Sequence, residues 1–500
     1  MKRKIIAAIL CASCLLLNAC GQPKEIPAEP YETVPYTLYP APKDAYVGDT
    51  MPFVTEDGNL ELYYLYDTDH NGQAYHPVWK YVTEDFTGYE DHGQVLEFGL
   101  MSDPDPAIGT GSVIQDKDGK YHMFYTGHND AGNGGHGKEC VMHAVSDDSE
   151  TWTKVPEDTF FAPENYSKDD FRDPEVFWCE EENCYWMLMA GRENRLGGVT
   201  AKYTSDDLKT WEFCGELFAP NDQYMLECPS ILKINDTYYL TYSWDCVTYY
   251  AVSDSISGPY TVPEDNVLDG TGFIFYAAKT EHFKDNDYLC GWIGRSGTLG
   301  DSGMYQWAGN VLNHQLIQLE DGSLGVKAPD TFYDYFTKDK EFKAVPKEGK
   351  VKVKNTTVTI SPEADSYAIA DMGTRPAEMM LECDVTIGED GVAGFCFGQE
   401  DDSEPTALAL DSLWNMIHYE GTIVQDILTE SPVAYTQFDF SKGEKHHIKM
   451  VCENEIVVVY VDDTKALSSR INNSIDGARF GLYSANAESV FENVTIKLPE

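Results

Sequence analysis

The chain has 500 residues, with 84 acidic and 36 basic side chains and a formal net charge of −48 at pH 7. This acidic balance disfavours nucleic acids and other polyanions as partners, while a neutral substrate remains compatible. The chain is too long for one ordinary core, and its 32 Tyr, 22 Phe and 9 Trp are typical of β-structure, so we expect two all-β domains.

The N-terminal residues have the pattern of a bacterial export signal. Three cations at Lys2–Lys4 precede an apolar run that ends with small residues directly before Cys20, and Gly follows. This arrangement resembles a lipobox, with a plain signal peptide as the alternative. We predict a lipoprotein signal over residues 1–19, a lipid on Cys20, a proline-containing tether over 20–44 and an extracytoplasmic, membrane-anchored protein. No later apolar run approaches the ~18 residues of a spanning helix.

Strand-like segments with similar turn signals then recur at intervals of about 50 to 60 residues. Each follows a polar turn or a short connection and is predicted to be the second strand of a hairpin. Turns rich in Ser, Thr and Asp follow them, with an aromatic residue a few positions later. The recurring segments are ELYYLYD from Glu61, HMFYTG from His122, YWMLMAG from Tyr185, YYLTYSW from Tyr238 and YLCGWIG from Tyr288.

Five similar units that cannot bury their faces alone favour a radial arrangement, and we predict a five-bladed β-propeller over residues 45–335. A sandwich of comparable length is the alternative, but it would not predict this repeat. Alternating strands without the repeat follow, and they indicate a C-terminal antiparallel β-sandwich over residues 343–500.

The position about twelve residues before each recurring strand lies on the first strand of the same blade. Because first strands surround the axis of a propeller, these positions should converge on one pocket. Three of the five are carboxylic acids, which would repel one another when ionised, so a functional role explains them better than stability does. The five positions are Asp49, Thr110, Asp173, Glu227 and Tyr276.

Two carboxyl groups flanking a glycosidic bond are the requirement for glycoside hydrolysis. The apolar sequence neighbours of Glu227 should raise its pKa and suit it to donate a proton. Arg172 should keep the adjacent Asp173 ionised for binding sugar hydroxyls, and an ionised Asp49 can attack the anomeric carbon. Taken singly, these three acids also fit a turn cap, a surface ion pair and a solvated edge residue; their shared phase in the repeat favours the catalytic interpretation.

Cysteine spacing gives no metal-site signal. Ten of the 13 cysteines lie beyond Cys20 without paired ligand spacing, so no zinc site is predicted. Cys179 and Cys184 flank a short acidic turn, where a disulfide and two unpaired thiols are both compatible.

The motifs resemble glycoside hydrolase family 32, the invertases, levanases and inulinases. The resemblance is carried by RDP at Arg172–Pro174, by EC at Glu227–Cys228 and by the GTGSVI, FYAAKT and NVLNHQLIQLEDGSL segments, and it covers nearly all of the mature chain. It implies a five-bladed propeller followed by a sandwich, and retaining hydrolysis of fructosides through a fructosyl-enzyme intermediate. By motif, it also implies that Asp49 is the nucleophile, Asp173 the transition-state stabiliser that binds fructose hydroxyls, and Glu227 the acid/base.

The sequence departs from the family around Asp49. The usual WMNDPNG motif is reduced to YVGDTMPF, the asparagine before the aspartate is Gly48, and Leu65 stands where many members carry glutamine. Candidate aromatic residues for stacking on sugar rings, each equally compatible with packing inside a blade, are Trp79, Trp244 and Tyr276. The complete set of predicted substrate-binding residues is Arg172, Gly109, Thr110, Trp79, Trp244 and Tyr276.

We therefore predict a hydrolase of fructose-containing saccharides that uses no cofactor and no metal, because protonation and covalent capture perform the chemistry. An arabinan- or xylan-type propeller hydrolase and a non-catalytic glycan-binding lipoprotein are the alternatives. RDP and EC argue against the first, and the presence of all three acids argues against the second. The sequence leaves open the fructan linkage, endo or exo cleavage, the oligomeric state and the role of the sandwich.

Overall fold

The computed structural model describes residues 34–68, 75–296, 305–363, 366–398, 405–420, 433–440, 443–471 and 479–500. These residues form an all-β protein, with one α-helix at Thr331–Tyr335 and two 3-10 helices at Asn133–Gly135 and Pro156–Asp158. Cys20 and the predicted signal lie outside the described residues. No helix within the described ranges has the length and apolar character of a membrane span.

The N-terminal part consists of five consecutive antiparallel units; the first strand of units 2 to 5 lies at one end of its sheet, and the first strand of unit 1 is paired on both sides. The strands are β1 (Tyr46–Val54), β2 (Leu60–Asp67), β3 (Val78–Thr83) and β4 (Glu90–Leu96) in unit 1; β5 (Ala107–Gln115), β6 (Tyr121–His128), β7 (Glu139–Ser146), β8 (Thr153–Lys154) and β9 (Phe160–Phe161) in unit 2; β10 (Tyr166–Cys179), β11 (Cys184–Glu193), β12 (Gly197–Ser205) and β13 (Glu212–Phe218) in unit 3; β14 (Glu227–Ile234), β15 (Thr237–Trp244) and β16 (Val247–Ser253) in unit 4; and β17 (Tyr276–Phe283), β18 (Asn286–Ser296), β19 (Tyr305–Gln318) and β20 (Leu324–Lys327) in unit 5. The five recurring segments are the second strands of these units, as predicted.

The first strands β1, β5, β10, β14 and β17, called the inner strands below, contact one another in this order, and β17 contacts β1 again. Unit 5 is also joined to unit 1 through a bridge between β19 and β1, where Val47 pairs with Gly309. A closed ring of five inner strands is the arrangement expected of the predicted five-bladed propeller.

Two larger antiparallel sheets follow and enclose an apolar core that includes Leu381, Phe395, Val459 and Leu482. One sheet has the order β23-β24-β35-β26-β31-β32-β33 with β21 beside β35, and the other has the order β22-β25-β34-β27-β28-β29-β30. The strands are β21 (Phe336–Asp339), β22 (Val345–Glu348), β23 (Lys350–Lys354), β24 (Thr357–Ser361), β25 (Tyr367–Thr374), β26 (Glu378–Ile387), β27 (Val392–Gly398), β28 (Thr406–Asp411), β29 (Met416–Glu420), β30 (Ala434–Gln437), β31 (Lys445–Glu453), β32 (Ile456–Val461), β33 (Lys465–Arg470), β34 (Arg479–Ala485) and β35 (Ser489–Pro499).

These sheets include residues ahead of the predicted boundary at residue 343. The strand β21 begins at Phe336, whose buried side chain belongs to an apolar cluster with Phe332 and Met380, and the strand pairs with the C-terminal β35.

The end of the predicted tether is packed rather than extended away from the domains. Leu38 and Tyr39 are buried, and the backbone N–H groups of Thr37, Leu38 and Tyr39 donate to the carboxylate of Glu453 on β31. The tether prediction is therefore wrong for residues 34–44, because two apolar side chains and a buried acceptor hold this segment on the folded body.

All ten cysteines in the described ranges are free thiols. Cys179 and Cys184 face each other at the end of the β10–β11 hairpin but form no disulfide.

Candidate active site

Every inner strand carries the same irregularity near its start. In each case one extra residue interrupts the pairing with the second strand, which is a β-bulge. Because a bulge turns a side chain away from its regular direction, five such bulges can direct side chains of five strands toward one point. The interruptions lie between Val47 and Thr50, Gly109 and Gly111, Arg172 and Glu175, Glu227 and Ser230, and Tyr276 and Lys279.

The backbone at these bulges is also unusual. Asp173, Cys228 and Ala277 have φ angles of 58°, 50° and 52°, in the left-handed region that non-glycine residues rarely adopt. Backbone strain of this kind is found where the surrounding structure fixes a functional geometry. The bulges of the five inner strands therefore indicate a candidate functional site.

A cavity of about 520 Å³ opens at these bulges, and residues of all five units line it; it is called the central cavity below. Its lining residues are Asp49, Leu65, Asp67, His76, Ala107, Ile108, Gly109, Thr110, Thr126, His128, Glu139, Arg172, Asp173, Glu227, Cys228, Phe273, Tyr276, Arg295 and Trp307. The structure thus brings together seven predicted site residues: Asp49, Asp173, Glu227, Arg172, Gly109, Thr110 and Tyr276.

Two predicted substrate-binding residues do not line the central cavity. Trp79 on β3 stacks on Tyr66 with ring centroids 4.1 Å apart and packs within unit 1. Trp244 is the last residue of β15 and stacks on Tyr224. Their rings pack on neighbouring tyrosines, which is the alternative that the sequence left open for both, and their predicted role in substrate binding stays a prediction.

Asp49 is partly buried and lies beside an indole donor. Trp292 on β18 donates from Nε1 to Asp49 Oδ1 at 2.9 Å, and Thr110 Oγ1 donates to the Asp49 carbonyl at 3.4 Å. Burial raises the pKa of Asp49 to about 6; the Trp292 hydrogen bond opposes this shift, and the charge of Glu227 adds to it. Asp49 is therefore largely ionised above this pH, held at one oxygen by Trp292.

Asp173 is buried and held by backbone groups. The Cys228 N–H donates to Asp173 Oδ2 at 3.0 Å, and the Asp173 N–H donates to Thr126 Oγ1 at 2.8 Å. Burial, and then the charge of Glu227, raise the pKa of Asp173 to about 7, although the charge of Arg172 lowers it in part. A neutral Asp173 carboxyl can donate a hydrogen bond, and an ionised one can accept from sugar hydroxyls.

Arg172 makes different contacts from those predicted. Instead of pairing with Asp173, it donates from Nη1 to Glu227 at 3.0 Å, from Nε to Glu139 at 3.0 Å and from Nη2 to Asp170 at 3.3 Å. The charge of Arg172 lowers the pKa of Asp173 in the predicted direction, but burial and the charge of Glu227 outweigh it. The bulge points these adjacent side chains in different directions, so Arg172 pairs with other acids.

Glu227 is held by polar groups, not by the apolar residues next to it in the sequence. Besides Arg172 at Oε1, the Tyr276 hydroxyl donates to Glu227 Oε2. Met225, Leu226 and Cys228 are buried, whereas the Glu227 side chain is 21% exposed and faces the central cavity. Both of its oxygens therefore have a donor on the cavity wall.

Several residues that line the central cavity, other than those on the inner strands, were not predicted from the sequence. Asp67 and His128 end the second strands β2 and β6, and Arg295 is the penultimate residue of β18. Arg295 Nη1 donates to Asp67 at 2.7 Å, and His76 Nε2 lies 3.4 Å from the same carboxylate. The repeat could have identified these residues. The end of each second strand pairs near the start of its inner strand, so these residues also occupy equivalent positions in the repeat, as the three acids do.

Glu139 was missed for a different reason: it begins a third strand, β7. Its carboxylate accepts from the Phe171 N–H at 2.7 Å and from Arg172 Nε, so it fixes the arginine that contacts Glu227. No feature of the sequence distinguishes Glu139 among the 84 acidic residues.

Trp307 was also missed, and it accounts for Gly48. A Cβ added to Gly48 would lie 2.4 Å from the Trp307 ring, so only glycine leaves room for the indole there. Trp307 contacts Trp292 and His76, with ring centroids 6.0 and 4.8 Å apart. The Trp307 ring therefore occupies the space next to Asp49 that a larger residue at position 48 would need.

The chain matches the model of the glycosyl hydrolases family 32 N-terminal domain over residues 40–328. A levanbiose-producing levanase of Bacillus subtilis (strain 168) is 22% identical over 91% of this chain and 89% of its own length. A sucrose-6-phosphate hydrolase of Vibrio alginolyticus is 26% identical over 57% of this chain and 61% of its own length.

Solved structures agree in fold. An exo-inulinase from Aspergillus awamori superposes with a TM-score of 0.70 and 17% identity, covering 94% of this chain and 98% of that chain. Fructan 1-exohydrolase IIa from Cichorium intybus superposes with a TM-score of 0.72 and 13% identity, covering 92% and 96%. Since the family model covers more than half of the chain, including all five inner strands and the central cavity, this protein belongs to glycosyl hydrolase family 32 and is a glycoside hydrolase.

Proposed function

We propose that the protein hydrolyses β-fructofuranosidic bonds with retention of configuration, using Asp49 as nucleophile, Glu227 as acid/base and Asp173 as transition-state stabiliser. The observation that carries the proposal is the convergence of these three carboxyl groups, from equivalent bulges of three inner strands, on one cavity. The levanase and the inulinase named above support a fructose-containing substrate.

In the first step, Asp49 attacks the anomeric carbon of the fructosyl unit while Glu227 gives its proton to the glycosidic oxygen. The bond between the anomeric carbon and that oxygen breaks, and an ester between Asp49 and the fructosyl unit forms. Glu227 becomes a carboxylate, and the donors Arg172 and Tyr276 on its two oxygens stabilise the charge that develops.

In the second step, Glu227 takes a proton from water, the water oxygen attacks the anomeric carbon, and Asp49 leaves as a carboxylate. Two inversions at this carbon give net retention. Trp292 holds one oxygen of Asp49 throughout, so the nucleophile keeps its direction while its charge changes.

Asp173 contributes a hydrogen-bonding group rather than a bond-forming one. Its Oδ2 is held by the Cys228 N–H on the strand of Glu227, so the two acids keep a fixed relation. A carboxyl group so placed binds fructose hydroxyls, and those hydrogen bonds strengthen as positive charge develops on the sugar ring.

The test is a substrate panel with a stereochemical readout. The purified protein is assayed on sucrose, levan, inulin and an aryl arabinofuranoside, and the anomer first released is identified by rapid NMR. We expect turnover of the fructosides with release of the β-anomer. Turnover of the arabinoside alone would support the arabinan-type alternative, binding without hydrolysis would support a glycan-binding protein, and first release of the α-anomer would overturn the double displacement.

We also propose that the mature protein is anchored outside the cytoplasm by a lipid on Cys20. The support is the sequence alone: cations, an apolar run and small residues directly before a cysteine. Radiolabelled fatty acid should enter the full-length protein but not a Cys20→Ala variant. Equal labelling of both would overturn the anchor.

A further inference from the structure

A pair of aromatic rings lies beside the central cavity without lining it. Tyr224, in the connection before β14, and Trp244, at the end of β15, stack with ring centroids 5.5 Å apart and an interplanar angle of 28°. The guanidinium of Arg192 lies 4.7 Å from the centre of the Tyr224 ring. Tyr224 is 49% exposed, so much of this side chain is open to solvent. These three residues are called the rim stack below.

The rim stack is tied to the wall that holds Glu227. The Tyr224 hydroxyl donates to Asp170 at 3.4 Å, and Arg192 Nε donates to the same carboxylate at 2.9 Å. Asp170 in turn accepts from Arg172, which donates to Glu227. A continuous series of polar contacts thus runs from the proton donor to the exposed rings.

The pairing of β14 with β15 also places the Trp244 ring near Glu227. Ser243 on β15 is the pairing partner of Glu227 on β14, and Trp244 is the next residue. Tyr224 precedes Glu227 by three residues in the chain. Both rings are therefore held close to the acid by short covalent and hydrogen-bonded connections.

The side of the cavity on which the leaving group lies determines which part of the substrate reaches these rings. On the proposed function, Glu227 protonates the oxygen of the leaving group, so the leaving saccharide lies on the Glu227 side of the central cavity. Fructosyl units beyond the first leaving unit that extend past the wall of units 3 and 4 then reach the rim stack. The stack offers what a neutral sugar chain requires: aromatic surface for its C–H faces, and Asp170 and Arg192 for its hydroxyls.

We propose that the rim stack binds the leaving-group side of an oligomeric or polymeric fructan, beyond the first leaving unit. This inference rests on the proposed function, and it assigns to Tyr224 and Trp244 a preference for chain length. Sucrose has only one leaving unit and does not reach the rings. Contacts with the rings therefore add to kcat/KM for long chains and not for sucrose.

The test compares chain lengths within each variant. Tyr224→Ala, Trp244→Ala, the double variant and Trp244→Phe are assayed on sucrose and on fructan oligosaccharides of increasing length. We expect the ratio of kcat/KM on the longest oligosaccharide to that on sucrose to fall about tenfold in the double variant, less in each single variant and least in Trp244→Phe. Trp178→Ala is the matched control, since this exposed tryptophan lies near the end of β10 remote from the cavity and should leave the ratio unchanged.

Four further outcomes are informative. A wild-type ratio that does not rise with chain length, or a ratio unaffected in the double variant, overturns the rim-stack proposal while leaving fructoside hydrolysis intact. A parallel loss on sucrose and long chains also overturns it, because that pattern indicates damage to the cavity wall. A wild-type protein that hydrolyses no fructoside overturns the proposed function itself, so the two failures are distinguishable.

Discussion

Two fully buried aspartates show how the same side chain serves different ends in different regions of the molecule. Asp269 lies where the propeller-like part meets the sandwich, and its carboxylate accepts from Ser468 and contacts His314 Nε2 at 2.9 Å. Burial raises its pKa, but the contact with His314, together with Ser468 and Gly270, outweighs burial and lowers the pKa overall. Asp269 is a structural charge, with a partner on each oxygen.

For Asp173 in the central cavity, the same kinds of effect raise the pKa overall instead of lowering it. It is equally buried, but its neighbours include two further acids, so burial and repulsion raise its pKa to about 7. Because the pKa values of Asp49 and Asp173 are raised, ionisation of these two carboxyl groups opposes folding near neutral pH. Burial alone therefore does not identify a functional carboxylate. A functional carboxylate is better identified by a site in which several acids share few hydrogen-bond donors.

The largest expected effect is on catalysis by Asp49→Asn. The amide oxygen can still accept from Trp292, but it cannot capture the anomeric carbon, so kcat should fall by ~10⁴-fold or more. The free energy of unfolding should be unchanged or higher, because a carboxylate with a raised pKa is replaced by a neutral amide. Initial rates on a fructoside measure kcat, and urea unfolding measures the free energy of unfolding. A large loss of stability would show that Asp49, like Asp269, has a structural role.

Asp269→Asn should have the reverse result. Loss of the carboxylate leaves His314 and Ser468 with unmatched donors, and the free energy of unfolding should fall by roughly 2–5 kcal/mol. The folded fraction should retain its kcat. Denaturant unfolding and active-site-normalised kinetics measure the two quantities, and a fall in kcat with normal stability would contradict the assignment.

Gly48→Ala tests how tightly the cavity geometry is held. The new methyl group would lie 2.4 Å from the Trp307 ring and must displace it or shift Asp49. We expect kcat/KM to fall by about 10²-fold, the cost of a displacement near 1 Å at a catalytic group. Gly58→Ala is a control for cavity geometry, since its Cβ would meet nothing within 4 Å, although its φ of +80° disfavours alanine and its effect should be confined to stability.

The smallest effect concerns pH. Because the pKa of Asp173 is raised above its unfolded value of ~3.9, the carboxyl destabilises the fold progressively as pH rises from about 4 through about 7. Asp173→Asn should therefore gain stability relative to wild type across this window, by more than about 1 kcal/mol between pH 4.5 and 7.5. Unfolding curves at both pH values check it; a gain that shrinks as pH rises would show that Asp173 has the lowered pKa of a paired acid.

The sequence was sufficient for those features that depend on the phase of the repeat. The five second strands and the convergence of Asp49, Asp173, Glu227, Thr110 and Tyr276 followed from one spacing, because equivalent positions in a repeat adopt equivalent places. Contacts between units could not be predicted in this way. The partner of Arg172 depends on the direction in which a bulge turns its side chain, and Trp307 reaches Gly48 from a strand more than 250 residues later in the chain.

The role of Asp49 as a covalent nucleophile is tested most directly by trapping the intermediate. Glu227→Gln removes the acid/base, so a β-fructofuranoside with an activated leaving group should fructosylate Asp49 faster than water releases the sugar. Rapid quench followed by peptide mass spectrometry should find one fructosyl unit on the peptide that contains Asp49, and none in Asp49→Asn/Glu227→Gln. Turnover of this substrate without an adduct on Asp49, or an adduct on Asp173, would contradict the account.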